Sequence, residues 1–485
     1  MTEVEPALRR LRAQLPQERF FGEKSSLIRS LEPVDEAQLP VPGGAVRWWL
    51  LKVSFGDRAP VLYSYFVDGE TLEPLAPGAM GPLVRWMLVD LAIQGPVPTR
   101  EGRLSYRPLS DPASWRARIP AGAPCRPVGV EQSNSSVILA EQIVHKHFRA
   151  IQPGENPDVE MPEFLWGSTS FHQVPRPVGV LEYTAPGFPL AVLGSTQEFE
   201  RNEGDLWSVG RDLRAQPDGL TGVALLRLVE DLGRVTASLH VALAGATEAP
   251  PAFRPEPLEA SRLARWKSRW SGTFATAMES LDRALPGMEG PVRDRARALR
   301  ARSTELERFR DRVGIGEGGR PWSTRIHGDY HLGQVLSTPR GPVILDFEGE
   351  PARPLSERRE KHPPLRDVAG MLRSLDYLAR SPGLPGARVV PESLSTVLEL
   401  SHRLQDGFLK GYTERLRGEH AAVEPPTGRG DPWLAFFVVE KALYEIRYEL
   451  DHRPSWVSVP LGALEDLLGP SPEGPKGRDR AAGGG

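Results

Sequence analysis

The sequence predicts an α+β protein with two lobes, and three observations lead to this fold class. The chain has 485 residues, which exceeds the length at which a single hydrophobic core stops growing. Short strand-like runs dominate roughly the first 200 residues of the chain. After these runs, apolar residues recur with the period of a helix almost to the end of the chain.

The chain divides into sections at shifts in composition. Residues 1–117 read as a small α+β cap, with strand-like AVRWWLLKVSF and APVLYSYFVDGE and helical PLVRWMLVDLAI. Residues 118–200 are rich in β-strand runs and contain one predicted helix, NPDVEMPEFLW, which Asn156 can cap. Residues 201–468 are mostly helical. The Pro- and Gly-rich tail, 469–485, is expected to be disordered.

Composition excludes several classes of function. Lys plus Arg (60) nearly balances Asp plus Glu (63), so the net charge of −3 does not favour nucleic acid as a partner. Cys125 is the single cysteine, which excludes an intramolecular disulfide and a cysteine zinc cage. We find neither an apolar export signal nor a run of about 18 apolar residues. A cytoplasmic protein without a membrane partner is therefore expected.

The densest group of ionisable residues lies in IHGDYHLGQVLSTPRGPVILDFEGEP, residues 326–351. An acidic strand-loop-strand element within the helical section, after a β-rich section, is the layout of a bilobal kinase. Phosphoryl transfer requires a carboxylate near the acceptor hydroxyl and oxygen ligands for magnesium. Asp329 and Gln334 have the spacing of the base and the metal-binding amide in an H-x-D-x-x-x-x-N loop. Asp346 follows an apolar strand, as expected of the second metal ligand, and Glu348 is a further candidate.

Other interpretations of this stretch stay open. The same residues could form a structural polar loop, although three correctly spaced groups beside apolar strands favour the kinase interpretation. His327 is expected to orient the loop backbone rather than to react. A zinc site of His327, His331 and Asp346 is disfavoured, because no convincing third nitrogen or sulfur ligand is present.

Several motifs together resemble the maltokinases, a branch of the aminoglycoside phosphotransferase-like kinases. They are HGDYHLGQVL, ILDFEGEP, LPQERFFGEK, EQSNSSV, HKHFR, PGENPDVE, LRDVAGMLRSLDY and EKALYEIRYELDHRPSWVSVPL, and they extend over the chain except its tail. The resemblance implies a bilobal protein-kinase-like fold with an extra N-terminal α+β cap. It also implies phosphorylation of maltose at its anomeric hydroxyl, with ATP and Mg²⁺, and association with trehalose- or maltose-interconverting enzymes.

Lys146 is the predicted phosphate-binding lysine. Strand alternation in IVHKHFRA places it between Val144 and Phe148 on one face, where a lysine is costly unless it is paired. A role on the ATP phosphates is favoured over extension of the side chain into solvent. Glu160, on the helix that Asn156 caps, is its expected ion-pair partner. The competing partners are Asp158 and Glu163.

Two further segments are predicted to contact ATP. EQSNSS lacks a glycine-rich pattern, but its hydroxyl groups and backbone N–H groups can approach phosphates closely; an ordinary turn is the alternative. The candidate residues in this segment are Ser133, Asn134, Ser135 and Ser136. The run TQEFE resembles a hinge between lobes, where backbone groups near Gln197 and Phe199 would meet adenine.

The acceptor pocket is predicted on the helix EKALYEIRYEL. One stripe of this helix carries two aromatic rings and two charged groups, which suits the apolar face and the hydroxyls of a sugar. Half-buried tyrosines with solvated charges are an equally good interpretation of the pattern, and the resemblance favours the sugar. The candidates are Lys441, Tyr444, Glu445 and Tyr448, with Asp205 and Trp207 after the hinge as weaker ones.

These inferences together predict a cytoplasmic sugar kinase that uses ATP and Mg²⁺, with maltose as the first choice of acceptor. The sequence does not determine the oligomeric state, and a monomer is slightly favoured. Kinase motifs do not separate maltose from glucosamine, trehalose or an aminoglycoside, nor ATP from GTP. A catalytically inactive nucleotide-binding protein is the alternative of another class, and the intact Asp329, Gln334 and Asp346 argue against it.

Overall fold

The protein is described here by a computed structural model, which divides into two compact units. The first unit comprises Met1–Arg201 and Val343–Glu360, and the second comprises Asn202–Pro342 and Lys361–Gly485. The structure describes residues 4–18, 21, 26–129, 134–216, 222–245, 249–315, 322–350, 353–380, 394–418 and 422–470. Most of the predicted tail, from 471 onward, lies outside these residues.

Strands β1 to β15 follow in chain order: Ile28–Leu39, Val46–Phe55, Val61–Asp68, Val97–Pro98, Arg103–Pro108, Cys125–Pro127, Asn134–Leu139, Ile143–Phe148, Ala150–Ile151, Pro177–Ala185, Phe188–Glu198, Glu256–Pro257, Trp322–Ser323, Val335–Thr338 and Gly341–Ile344. Helices α1 to α15 are Val4–Gln14, Gly81–Trp86, Ala92–Gln94, Pro112–Arg118, Pro157–Ser168, Leu206–Arg214, Val223–Ala244, Ala260–Ala284, Gly290–Ala301, Ser303–Glu307, Leu355–Arg358, Leu365–Arg380, Leu394–Leu416, Pro432–His452 and Ser458–Leu468.

Two antiparallel sheets form the first unit. One has the strand order β1-β2-β3-β9, and the other has the order β4-β5-β10-β11-β8-β7-β6. Strand β5 pairs with β10, and β3 pairs with β9, so both sheets combine strands from before and after residue 117. The cap predicted over 1–117 is thus continuous with the β-rich section, because these long-range pairings join them in one unit.

Strand β2 shows why a nearly continuous apolar run forms the centre of a sheet. Trp48 and Leu50 pack on one face, within a core shared with the seven-stranded sheet. Trp49 and Leu51 point to the other face, where α1 contributes Leu11 to a second core. Side chains of a strand alternate between faces, so burial of both faces requires apolar residues at successive positions.

Helices dominate the second unit. The long helices α7 and α13 approach closely at two glycines: a Cβ on Gly233 would lie 2.2 Å from the Phe408 carbonyl, and one on Gly411 would lie 2.0 Å from the Glu230 carbonyl.

The second unit begins one residue after the predicted boundary at 201, but the chain returns to the first unit for Val343–Glu360. Across the described ranges, every helix is too short or too polar to cross a membrane.

Candidate active site

Asp329 lies in a loop that a buried carboxylate holds in place. Asp367, on α12, is 1% exposed and accepts hydrogen bonds from the backbone N–H groups of His327 (2.7 Å) and Gly328 (2.9 Å). His240 lies 3.3 Å from the same carboxylate. Burial raises the pKa of Asp367, but the hydrogen bond and charge of His240 outweigh it, so the net pKa is lowered. An ionised Asp367 thus fixes the backbone two residues before Asp329.

The Asp329 carboxylate faces a cation and an aromatic ring on α14. Lys441 Nζ lies 3.3 Å from Asp329 Oδ1 and 5.4 Å from the centre of the Tyr444 ring. Burial alone would raise the pKa of Asp329. The charges of Lys441, His331 and His327 outweigh burial, so the net pKa of Asp329 is lowered. With 26% of its side chain exposed, Asp329 is an accessible, ionised proton acceptor.

Gln334 follows Asp329 on a short 3₁₀ turn, Leu332–Gln334. Its N–H donates to the carbonyl of His331 at 2.9 Å. His331 caps this turn, because its Nδ1 accepts the N–H of Gly333 at 3.1 Å. The turn thus gives His331 a structural role and places Gln334 in the same unit as Asp329.

A second cluster, in the first unit, joins Lys146 to three carboxylates. Lys146 Nζ lies 2.6 Å from Asp346 Oδ1 and 3.1 Å from Asp158 Oδ2, and it also bonds Glu348 Oε1. Burial disfavours the ammonium ion, but Asp158, Asp346 and Glu348 hold the pKa of Lys146 well above its usual value. Asp158 Oδ1 accepts the N–H of Phe347 at 2.9 Å, which fixes the backbone beside Asp346.

The backbone of Asp346 is strained. Its φ of +62° lies in the left-handed region, which costs a non-glycine residue about 1–2 kcal/mol. The surrounding contacts, from Lys146 to the side chain and from Asp158 to the next N–H, hold the residue in this conformation. Such strain is characteristic of functional positions. In this backbone conformation the Asp346 carboxylate lies in the cluster, against Lys146.

The cluster fits a magnesium ion. Asp158, Asp346 and Glu348 offer oxygen atoms within 4.8 Å of one another, and carboxylate oxygens are preferred ligands of Mg²⁺. Burial raises the pKa of Asp158 and of Glu348 even though Lys146 opposes it. Three carboxyl groups therefore surround one ammonium group, and ionising all three is costly without a further cation. A bound Mg²⁺ would supply the missing positive charge and polarise a phosphate group.

The structure corrects the predicted partner of Lys146. Asp158 and Glu160 both lie in the first turn of α5, but Asp158 is the one that pairs with Lys146. Glu160 bonds Arg359 instead, at 2.8 and 3.0 Å. Helix geometry explains the difference, because residues two apart on a helix point in different directions. Glu160 consequently does not provide the ion pair that was predicted for Lys146.

The segment predicted to cover the phosphates is only partly described. Asn134 begins β7, and its Nδ2 donates to Glu348 Oε1 at 2.6 Å, so Asn134 adjoins the carboxylate cluster. Ser135 accepts a hydrogen bond from Arg149 at 2.9 Å, and Ser136 lies directly opposite Lys146 in the β7–β8 pairing. These residues are in a strand rather than a loop. Ser133 lies outside the described residues.

The predicted hinge residues lie at the end of β11. Gln197 pairs with Val144 on β8, and the N–H of Phe199 donates to the Gln142 carbonyl at 2.9 Å. The first unit's main segment ends at Arg201, two residues beyond Phe199. The chain thus leaves the sheet of the first unit directly after these residues.

The predicted acceptor stripe on α14 divides into two environments. Tyr444 and Tyr448 stack with ring centres 6.3 Å apart, and Tyr448 is 37% exposed. Glu445 is buried and accepts hydrogen bonds from Arg373 at 2.7 and 2.9 Å. The prediction that Glu445 lies on an open, sugar-binding stripe is therefore wrong, because its carboxylate forms a buried ion pair with Arg373 of α12.

The two weaker acceptor candidates lie at the start of α6. The Asp205 side chain accepts the N–H of Ser208 at 2.8 Å and so caps this helix, a structural role that needs no ligand. Trp207 is half-buried on the same helix. Neither position adjoins Asp329 through a contact that the structure describes.

Several known proteins similar to this chain are named glucosamine kinase. Glucosamine kinase of Mycolicibacterium smegmatis is 28% identical over 385 residues, which cover 79% of this chain and 87% of that protein. Glucosamine kinase of Streptacidiphilus jiangxiensis is 28% identical over 349 residues, covering 71% and 73%. A solved glucosamine kinase in complex with glucosamine, ADP and inorganic phosphate matches with a TM-score of 0.65 and 23% identity, covering 94% of this chain and 97% of that one. No family model matches the sequence.

These comparisons decide several predictions. They confirm the kinase-like α+β fold, which the solved glucosamine kinase shares, and the class of phosphotransferase with an alcohol group as acceptor. The solved glucosamine kinase is in complex with ADP and inorganic phosphate, which accords with the predicted use of ATP. They support an ATP-dependent sugar kinase, but not the maltokinase assignment that the motifs suggested. Maltose-specific roles and partners therefore stay predictions.

Proposed function

We propose that the chain is an ATP- and Mg²⁺-dependent kinase of an amino sugar, with glucosamine as the first acceptor to test. The observation that carries the kinase reaction is the ionised, partly exposed Asp329, held beside Lys441 in a loop that Asp367 fixes. The similarity to two proteins named glucosamine kinase favours this acceptor over maltose.

Asp329 would orient the acceptor hydroxyl and take its proton as the phosphoryl group arrives. Lys441 keeps Asp329 ionised and, with the Tyr444 ring, offers a charged group and an aromatic face to the sugar. Asp346 and Glu348, with Asp158, would hold magnesium. These carboxylates would then no longer need Lys146 as their counter-ion, and its ammonium group would contact the phosphates. Gln334 is proposed as a further metal ligand on the spacing of its loop.

Maltose is the second candidate acceptor. It is favoured by the resemblance of HGDYHLGQVL and EKALYEIRYELDHRPSWVSVPL to maltokinase motifs. The stacked pair of Tyr444 and Tyr448 would also suit a disaccharide, because each ring can cover one apolar sugar face.

The test is a panel of acceptors with ATP and Mg²⁺, read by ADP release. The panel contains glucosamine, N-acetylglucosamine, glucose, maltose, trehalose and an aminoglycoside, and ³¹P NMR locates the phosphate on each product. Glucosamine should give the highest kcat/KM, with little turnover of N-acetylglucosamine, which lacks the ammonium group. A preference for maltose would reject the amino sugar and restore the second candidate. No phosphorylated sugar, despite tight ATP binding, would indicate an inactive nucleotide-binding protein.

A further inference from the structure

Arg358 is a buried cation beside the carboxylate cluster of Asp158, Asp346 and Glu348. It ends the short helix α11, and its side chain is 7% exposed. Nη1 donates to the backbone carbonyl of Glu348 at 3.1 Å and lies 3.8 Å from Glu348 Oε2. The aliphatic part of the side chain passes Gly349, where a Cβ would lie 3.5 to 3.8 Å from it. The guanidinium is therefore directed toward the residues that fit magnesium.

The hydrogen-bonding capacity of Arg358 is largely unused. A guanidinium has five N–H donors, and charge-assisted bonds to carboxylates are normally shorter than about 3 Å. The separation of 3.8 Å from Glu348 is too long for such a bond, and Nε is buried without a hydrogen-bond partner among the described residues. Burial also lowers the pKa of Arg358, although Glu348, Asp158 and Asp346 oppose that shift. A buried cation with unused donors is costly unless an anion completes its contacts.

We propose that Arg358 binds a phosphate group of the nucleotide, together with Lys146 and the metal at the carboxylate cluster. The planar guanidinium matches the oxygen atoms of a phosphate, which can accept two of its N–H groups at once. Arg358 would also offset the repulsion between the phosphates and the three carboxylates of the cluster. This assignment rests on one part of the proposed function, the binding of a nucleotide. It does not depend on which sugar accepts the phosphate.

The test compares nucleotide binding by wild type, Arg358→Gln and Arg353→Gln, measured by calorimetry with Mg²⁺. Arg353 is the matched control, because it lies on the same segment and pairs with Glu350 at 2.6 Å. Loss of a charge-assisted phosphate contact in Arg358→Gln should weaken ADP and ATP binding on the order of 10- to 100-fold. Adenosine, which has no phosphate, should bind both variants as it binds the wild type. ADP affinity in Arg353→Gln should stay at the wild-type value.

The outcomes separate this assignment from other roles of Arg358. Unchanged ADP affinity in a folded Arg358→Gln would overturn it, as would an equal loss of ADP and adenosine binding, which a structural role of Arg358 predicts. Absence of ADP binding by the wild type would overturn the kinase function as well. If Arg358→Gln does not fold, Arg358→Lys provides the decision, because it keeps the positive charge but loses the paired N–H donors of the guanidinium. Arg358→Lys should weaken ADP binding but not adenosine binding, and unchanged ADP affinity would overturn the proposal.

Discussion

Replacing Asp367 by Asn tests how the loop of Asp329 is held. The wild-type carboxylate accepts two backbone N–H groups, from His327 at 2.7 Å and Gly328 at 2.9 Å. An amide has one acceptor oxygen, so one of these buried N–H groups would lose its partner and face the NH₂ group of Asn. A buried donor left without an acceptor costs about 1–3 kcal/mol. We therefore expect Asp367→Asn to lower the free energy of unfolding by about that amount.

The same substitution should impair turnover, since Asp329 follows the released backbone directly. A displacement of a catalytic group by about 1 Å can lower a rate on the order of 10²-fold, so we expect kcat to fall on the order of 10- to 100-fold. ADP affinity without Mg²⁺ should not change, because Asp367 and Asp329 belong to the second unit and Lys146 with its carboxylates belongs to the first. Urea titration gives the stability, a coupled assay of ADP release gives kcat, and calorimetry gives the ADP affinity.

Asp376→Asn is the control for general destabilisation. Asp376 is buried on the same helix, where its carboxylate accepts hydrogen bonds from Arg373 (2.6 Å) and Arg380 (2.7 Å) rather than from the catalytic loop. This variant should lose stability but keep kcat within about threefold of the wild type. Equal losses of kcat in the two variants, or a normal kcat in Asp367→Asn, would refute the role of Asp367 as the anchor of the loop.

Three further predictions follow from the same geometry. Asp329→Asn should lower kcat on the order of 10²-fold or more at unchanged ADP affinity, and near-normal turnover of the purified variant would exclude Asp329 as the base. Asp158→Asn should weaken Mg²⁺-dependent ADP binding, measured by calorimetry, more than Glu160→Gln does, because Asp158 is the carboxylate that contacts Lys146; the reverse order would contradict this pairing. Burial lowers the pKa of His145 to about 4 from its usual 6.5, so the unfolded state takes up the proton first as pH falls. Stability should therefore drop by about 2 kcal/mol between pH 7 and 5 through this residue, and urea titrations should show a smaller drop in His145→Gln.

Local patterns in the sequence predict the elements that their own residues determine. The Asn156 side chain accepts the N–H of Asp158 at 3.0 Å and begins α5, as the Asn-Pro signal indicates. The apolar run of β2 and the alternation around Lys146 on β8 likewise appear as strands. In each case the signal lies within a few residues, so long-range contacts do not need to be known.

Contacts between distant segments limited the prediction of the site. Sequence spacing could not choose between Asp158 and Glu160 as the partner of Lys146, because the first turn of α5 presents both. The choice depends on Phe347, almost two hundred residues later, whose N–H the Asp158 carboxylate also accepts. Arg358 was missed for the same reason. Its segment has no periodic pattern, and its importance follows only from its approach to Glu348.

Both units place a reactive carboxylate in the same way. In the second unit, Asp367 on α12 accepts backbone N–H groups one and two residues before Asp329. In the first unit, Asp158 on α5 accepts the N–H of the residue directly after Asp346. In each case a neighbouring side chain, His240 beside Asp367 and Lys146 beside Asp158, favours the ionised form of the accepting carboxyl group against the effect of burial. A rigid helix thus fixes the backbone of each loop, and the side chains of Asp329 and Asp346 stay available for the acceptor and the metal.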